Sequence, residues 1–379
     1  MPMKTLISAL LLGAATLGQA SQAAAIDPYG YKLPPSMRPK KKAAPAPKKK
    51  GPPPIDYVGE FVNFGDWKEV RAFLDDVATR DGFDRAELNT LMGQVRYVDA
   101  AVQLVKPAPP GKPKNWQAYS KLIVDPIRID NGVKFWNDNR EALERAEALY
   151  GVPAEILVGI LGVETVYGRN TGRFRVVDAL TTLAFSYPEA PQRTERMAFF
   201  RGELEATLLF ARQNGVDPLS LRGSFAGAIG MPQFMPSSLM KYAVDFDGSG
   251  KVDLLNSGVD AIGSVAAFLV AHGWQRELGG PLVYSAAVSP NRAWESMTNQ
   301  GLSAKYRPQE LTAAGVSTTV PVPEQQTYGL VDLQNGAEPT EYWLANNNFF
   351  AITQYNRSYF YAMSVVELGR AVRLARGGM

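Results

Sequence analysis

Cysteine is absent from this chain of 379 residues, and histidine occurs once, as His272. The first absence excludes disulfides, thiolate nucleophiles, zinc ribbons, iron–sulfur clusters and a lipid-modified N-terminal cysteine. The second leaves a Ser-His-Asp triad or a two-histidine metal site with only His272 to build on. That residue stands in "AHGW", where a helix should end and Gly273 can cap it. Long apolar runs are missing too: after the N-terminus no stretch approaches about 18 uninterrupted apolar residues, the length a spanning helix needs. The remaining composition is that of a globular protein, 46% hydrophobic and 20% charged, with length enough for two or three domains.

Residues 1–25 read as a secretory signal. Lys4 supplies the positive charge, "LISALLLGAATLG" an apolar core too short to span comfortably, and "SQAAA" small residues for cleavage. Cleavage would leave a soluble periplasmic protein; retention would leave an anchor. Residues 26–54 form a Pro/Lys-rich tether: within 33–54 there are eight prolines and seven Lys or Arg, too little apolar surface to offset chain entropy. Residues 1–54 hold nine basic and one acidic side chain of the 40 and 37 in the chain, so the rest carries 31 against 36, a net charge of about −5. The basic character belongs to the tail, which reads as a solvated spacer or as a weak contact for anionic membrane or wall polymer. An exported chain with an acidic folded part argues against nucleic acid, and nothing in it argues for oligomers, so a monomer is expected.

From Tyr57 to about Val270 the pattern is mostly helical. Candidates are "DWKEVRAFLDDVATRDG", "NREALERAEALYG", "PAEILVGILGVETVYG", "AFFRGELEATLLFARQNG" and "VDAIGSVAAFLVAHG", with Gly82 and Gly151 as stops. After Gly280, "PLVYSAAVS", "STTVPVPEQ" and "YGLVDLQNGAEPTEYWL" favour β-branched and aromatic residues, with Asn335-Gly336 predicted as a type I′ hairpin turn. A last helix, "YAMSVVELGRAVRLARGG", ends at Gly377. The expected fold is α+β and mainly α: a helical core over 55–279, a small β insertion over 280–342, and a return to the core over 343–379.

One carboxylate stands out. In "PAEILVGILGVETVYG", Glu164 follows Leu157, Ile160 and Leu161 at helical spacing. Burial among them raises a carboxyl pKa toward neutrality, which is what a general acid requires. The bland readings are that Glu164 faces outward or pairs with Arg169 or Arg173. Two further stretches bear on the choice. "GSFAGAIGMPQFMPSS", residues 223–238, is too broken by glycine and proline for a core helix and suits a backbone-lined cleft with few polar anchors. "YNRSYFYAM", residues 355–363, sets four aromatic rings beside Asn356, a pattern that serves a core or a sugar platform.

Taken together, these stretches resemble the membrane-bound lytic transglycosylase B family, glycoside hydrolase family 103, whose members cleave peptidoglycan. The resemblance runs from about Trp116 to the last helix and includes "FWN", "YGVP.EI.VGI.GVET..GR", "DAL.TL.F.YP", "GS.AGA.G..QFMPSS", "YAVDF", "VDAIGSVA.F..AHGW" and "YN.S..YAM.V..LG". It implies a lysozyme-like helical core, with a helical extension and the inserted β unit. It also implies that Glu164, in "GVET", is the single acid and then base. The implied reaction is non-hydrolytic. The β-1,4 bond between N-acetylmuramic acid and N-acetylglucosamine is broken by the muramyl 6-hydroxyl, with help from the acetamido group, leaving a 1,6-anhydromuramyl end. Tyr119, Arg196, Ser224, Gln233, Phe234, Tyr355, Asn356 and Tyr361 match positions that line the sugar groove in the family. Glu195 departs from the pattern, since some relatives have an arginine there.

Two alternative functions and one metal site remain open at the level of sequence. A water-using muramidase needs a second carboxylate, for which Asp178 in "VVDALTTLAF" is the nearest candidate, although an N-cap role is simpler. A wall-binding protein without catalysis would use the same cleft. "DFDGSGKVDLLN", residues 245–256, has EF-hand spacing: Asp245, Asp247, Ser249, the Lys251 carbonyl, Asp253 and, at the twelfth position, Asn256 in place of glutamate. The resemblance implies calcium here, sodium or an empty Asx-rich turn being the other readings, and no cofactor for catalysis.

Overall fold

The computed structural model describes residues 55–106 and 113–377. The predicted signal segment and tether lie outside the described residues. Helices α1 (Lys68–Asp81), α2 (Arg85–Met92), α3 (Asp99–Val105), α4 (Trp116–Ile123), α5 (Pro126–Asp138) and α6 (Arg140–Tyr150) come first. They are followed by α7 (Ala154–Thr165), α8 (Val176–Phe185), α9 (Arg193–Asn214), α10 (Pro236–Tyr242) and α11 (Gly258–Ala271). Later come α12 (Pro308–Ala313), α13 (Asn347–Ile352) and α14 (Tyr359–Ala375).

Two short antiparallel ribbons pair β1 (Glu60–Phe61) with β2 (Arg96–Tyr97) and β3 (Phe174–Arg175) with β4 (Arg222–Gly223). A four-stranded antiparallel sheet is built from β5 (Val283–Val288), β6 (Val316–Thr318), β7 (Gly329–Asn335) and β8 (Glu338–Ala345), in the order β6-β5-β8-β7. Its two faces serve different cores. Val283, Val331, Leu333 and Trp343 join the main helical core, whereas Tyr284, Leu330 and Leu344 pack with Trp294, Leu311 and Val316 in a separate cluster, the alternation that a pleated strand imposes.

Local chemistry accounts for most boundaries. α1 buries Val70, Phe73, Leu74 and Val77 on one stripe and stops at Gly82, φ +67°. α6 stops in the same way at Gly151, φ +70°. α7 is apolar nearly all round and is buried to match. It packs chiefly on α14, and glycine brings the two backbones together. A Cβ on Gly159 would lie 2.3 Å from the Val365 carbonyl oxygen, and one on Gly369 would lie 2.0 Å from that of Glu155.

Three expectations need correction. α7 stops at Thr165 instead of running to Gly168, because Val166 and Tyr167 both turn left-handed, φ +52° and +57°. β6 is only Val316–Thr318; the prolines at 321 and 323 that follow have no N–H to continue a ladder. Asn335-Gly336 is not a type I′ turn, since Asn335 pairs with Glu338 inside the hairpin and only Gly336, φ +68°, is left-handed. The Asn335 side chain instead accepts from the Gln117 N–H at 2.9 Å and donates to Pro339 O at 3.1 Å, fastening α4 to the sheet.

Candidate active site

Glu164 lies in the last turn of α7, with the fully buried Ile160 and Leu161 one turn before it. The residue is half-buried, yet its carboxyl is enclosed on the protein side. The Tyr361 hydroxyl, from α14, donates to Glu164 Oε1 at 2.6 Å. Loss of hydration pushes the Glu164 pKa up to about 7; the Tyr361 hydrogen bond pulls the other way and is the weaker influence, and no ionised neighbour contributes. Among the described residues neither Arg169 nor Arg173 is paired with it. Arg169 is exposed, and Arg173 lies over the Tyr57 ring, 5.8 Å from its centroid.

A ring of phenols surrounds this carboxyl. Tyr361 is fully buried and lies nearly parallel to Tyr355, centroids 6.4 Å apart. Burial raises both phenol pKa values well above the usual range, and the negative charge of Glu164 raises them further. Tyr119, on α4, packs against Trp116 and Phe360; burial first, then Glu164, raises its pKa. The Tyr355 ring also packs on Phe268 and Phe234, centroids 4.6 and 5.8 Å away, and its hydroxyl, although buried, has no hydrogen-bond partner among the described residues. The aromatic stripe of residues 355–363 therefore walls the acid from within more than it offers open ring faces.

The Gly- and Pro-rich stretch forms a compact double turn closed by pairing of Ile229 with Phe234. Ser224 Oγ accepts from the Ala226 and Ala228 N–H groups at 3.3 and 3.0 Å, which commits its lone pairs to the turn. Gln233 is left-handed, φ +52°, and its amide nitrogen donates to Thr171 O and Gly230 O. Only its amide oxygen is left for an incoming donor. The Asn356 side chain is largely buried, follows Tyr355 directly, and makes no hydrogen bond among the described residues. Arg196, on α9, lies over the Tyr187 ring, 5.8 Å from its centroid, and its guanidinium reaches Tyr187 Oη at 3.3 Å.

Asp178 is neither an N-cap nor a partner for Glu164. α8 begins at Val176 with Arg175 at the cap, so Asp178 is its third residue. It is 1% exposed and ion-paired with Arg175 at 2.7 Å, and it also accepts from the Arg96 N–H at 3.0 Å. Both oxygens are thereby occupied. His272 is the C-cap of α11; its Nδ1 lies 2.7 Å from Phe268 O and its ring stacks on Phe268.

The 245–256 loop gathers a different set of carboxylates from the one its spacing suggests. Oxygen atoms of Asp245, Asp247 and Asp260 lie within 4.8 Å of one another. Asp260 is fully buried in the first turn of α11 and accepts from the Phe246, Asp247 and Asp253 N–H groups. Asp253 and Asn256 bond to each other instead, Nδ2 to Oδ2 at 2.9 Å. The sequence signal for Asp260 was the Ser257-x-x-Asp260 capping pattern, with Ser257 Oγ accepting the Asp260 N–H. An all-oxygen cluster of this kind suits a hard cation such as Ca²⁺.

The transglycosylase SLT domain family model matches residues 65–370. The membrane-bound lytic murein transglycosylase B of Escherichia coli K12 is 43% identical over 327 residues, covering 84% of this chain and 85% of that protein. Soluble lytic transglycosylase SltB1 from Pseudomonas aeruginosa superposes with a TM-score of 0.74 at 43% identity, over 82% of this chain and all of that one. The Escherichia coli lytic transglycosylase Slt35 in complex with calcium gives a TM-score of 0.74 at 41% identity, over 84% of this chain and 97% of that one. With the fold, the family model and these relatives in agreement, the chain belongs to the SLT-domain lytic transglycosylases.

Proposed function

We propose that this lytic transglycosylase cleaves the glycan strands of peptidoglycan between N-acetylmuramic acid and N-acetylglucosamine, with Glu164 acting first as acid and then as base. The observation that carries the reading is the Glu164 pKa near 7 beside the donating Tyr361 hydroxyl. At neutral pH a large fraction of such carboxyls, about half, hold the proton, and because Tyr361 occupies Oε1, the transferable proton sits on Oε2. That proton passes to the glycosidic oxygen as the bond to the muramyl anomeric carbon breaks. Tyr361 then stabilises the carboxylate, which takes the proton of the muramyl 6-hydroxyl as that oxygen closes on the anomeric carbon. No water is consumed and no second carboxylate is needed, in keeping with Asp178 being bound up with Arg175. Hydrolysis by the usual glycosidase routes needs that second group.

Gln233 Oε1, the Asn356 amide and Tyr119 supply acceptors, donors and a ring edge for the sugars. Asp245, Asp247, Asp260, Ser249 Oγ and the Lys251 carbonyl would hold a structural calcium ion, which takes no part in the proton transfers. Export by residues 1–25 would place the enzyme in the periplasm, where the wall is. Incubation with purified sacculi and mass spectrometry of the soluble products tests the reading: anhydro ends carry it, reducing ends point to a muramidase, and no release to a binder. Glu164→Gln should fold, bind glycan and lose turnover by roughly 10²-fold or more; near-wild-type turnover would reject the role.

A further inference from the structure

Glu164 sits in the final turn of its helix, where backbone hydrogen bonding runs out and helices ordinarily fray. The helix does not end on glycine. Val166 and Tyr167 both occupy the left-handed region, which costs most for a β-branched side chain and persists only where the surroundings enforce it. The enforcing contacts are visible. The Val166 N–H bonds to Gly162 O at 3.2 Å and the Tyr167 N–H to Leu161 O at 3.1 Å. The Tyr167 ring fills a slot made by two glycines, since a Cβ on Gly132 or Gly162 would lie 2.4 Å from its hydroxyl, and it stacks on Phe135.

At the centre of this arrangement is Thr165, next to the acid and fully buried. Its Oγ1 donates to Met231 O at 2.9 Å and accepts from the Gly168 N–H at 2.9 Å. Met231 is fixed on its other side, its N–H bonded to Leu254 O at 2.7 Å. Gln233, two residues on, is held by Gly230 and Thr171. One hydroxyl thus joins the end of the acid's helix to the turn that carries the sugar-facing amide.

We infer that Thr165 is a positioning residue for the reaction, its hydroxyl clasping α7 to the Met231 carbonyl so that Glu164 and Gln233 keep a fixed spacing and water stays off the acid's inner side. The inference rests on Glu164 being the acid. A hydroxyl that only stabilised the fold would affect melting alone. Loss of the clasp has a second effect: a looser last turn admits water to Glu164, favouring its charged form and moving its pKa down.

Thr165→Val, which keeps shape and removes the donor, is the test, with kcat, KM and the pH profile of kcat/KM measured well below the melting temperature. The expected result is a fall in kcat of about tenfold, a smaller change in KM, and a basic limb displaced to lower pH by roughly half a unit or more, as desolvation is relieved. Thr165→Ser should restore both kcat and the limb. Wild-type kcat and an unmoved limb in Thr165→Val would overturn the inference, as would a failure of Thr165→Ser to restore them. If the valine variant does not fold, Thr165→Ala is read by the same two criteria. Glu164→Gln run alongside separates the two claims: if that variant is active, the acid has been misassigned, whereas if it is inert and Thr165→Val behaves as wild type, only the clasp fails.

Discussion

Tyr361 Oη lies 2.6 Å from Glu164 Oε1, across 197 positions of sequence. A phenol that donates to a carboxylate favours its ionised form, so Tyr361→Phe should raise the Glu164 pKa above about 7. The basic limb of kcat/KM should move up by about one pH unit, the scale of a hydrogen bond to a charged group. kcat should fall as well, because the carboxylate left after the first proton transfer loses its donor. A limb that stays in place would mean that the bond does not form in the working enzyme.

A second buried carboxyl adds to the pH dependence of stability. Glu367, on α14, accepts from Ser120 Oγ at 2.6 Å, and burial lifts its pKa from 4.5 to about 7, with Glu341 adding to the rise and Ser120 and Arg370 opposing it. Between those values the folded state holds a proton that the unfolded chain has released. Its contribution is therefore whole below about pH 4.5 and is lost as pH rises through about 7. Denaturant titrations at pH 4.5 and 7.5 should show Glu367→Gln losing about 2 kcal/mol less than wild type over that interval. Parallel curves would place the Glu367 carboxyl in contact with water.

Asp178→Asn separates fold from chemistry. It leaves Arg175 without its buried partner, so unfolding free energy should drop by about 3 kcal/mol. The product should remain the 1,6-anhydro species. Loss of turnover in folded protein would restore Asp178 as a catalytic candidate.

The cation loop predicts two separable effects. Added Ca²⁺ should raise the melting temperature in a concentration-dependent way, as any ligand of the native state does, and Asp245→Asn should abolish that response. Asp260→Asn should lower the melting temperature even in chelator, because its carboxylate holds three backbone N–H groups on its own account. A calcium response intact in Asp245→Asn would move the site elsewhere.

The sequence displays whatever is written locally and conceals what depends on distant backbone. The stripe of Val70, Phe73, Leu74 and Val77 and the stop at Gly82 lie within one stretch of chain, and α1 follows from them. The apolar surround of Glu164 was legible because its own helix supplies the buried Leu157, Ile160 and Leu161. Its phenol donor was visible only as part of an aromatic stripe that fits a core equally well. Asp178 looked like a cap because its tie to the Arg96 backbone spans 82 residues. Asn335 looked like a turn residue because its partner on α4 is 218 residues away. The left-handed pair Val166 and Tyr167 carries little local sign, since neither residue is glycine and one side of the enforcing slot, Gly132 and Phe135, comes from α5.

The glycine contacts between α7 and α14 bear on when the enzyme becomes dangerous to the cell that makes it. Synthesis proceeds from the N-terminus, so the helix bearing the acid emerges long before the helix that seats on Gly159 and brings Tyr361. Without that docking, Glu164 lacks the Tyr361 hydroxyl and the burial that raises its pKa, so its carboxyl should ionise in the ordinary range and be a poor acid at neutral pH. A chain cut before α14 should therefore lack activity even if its earlier helices fold.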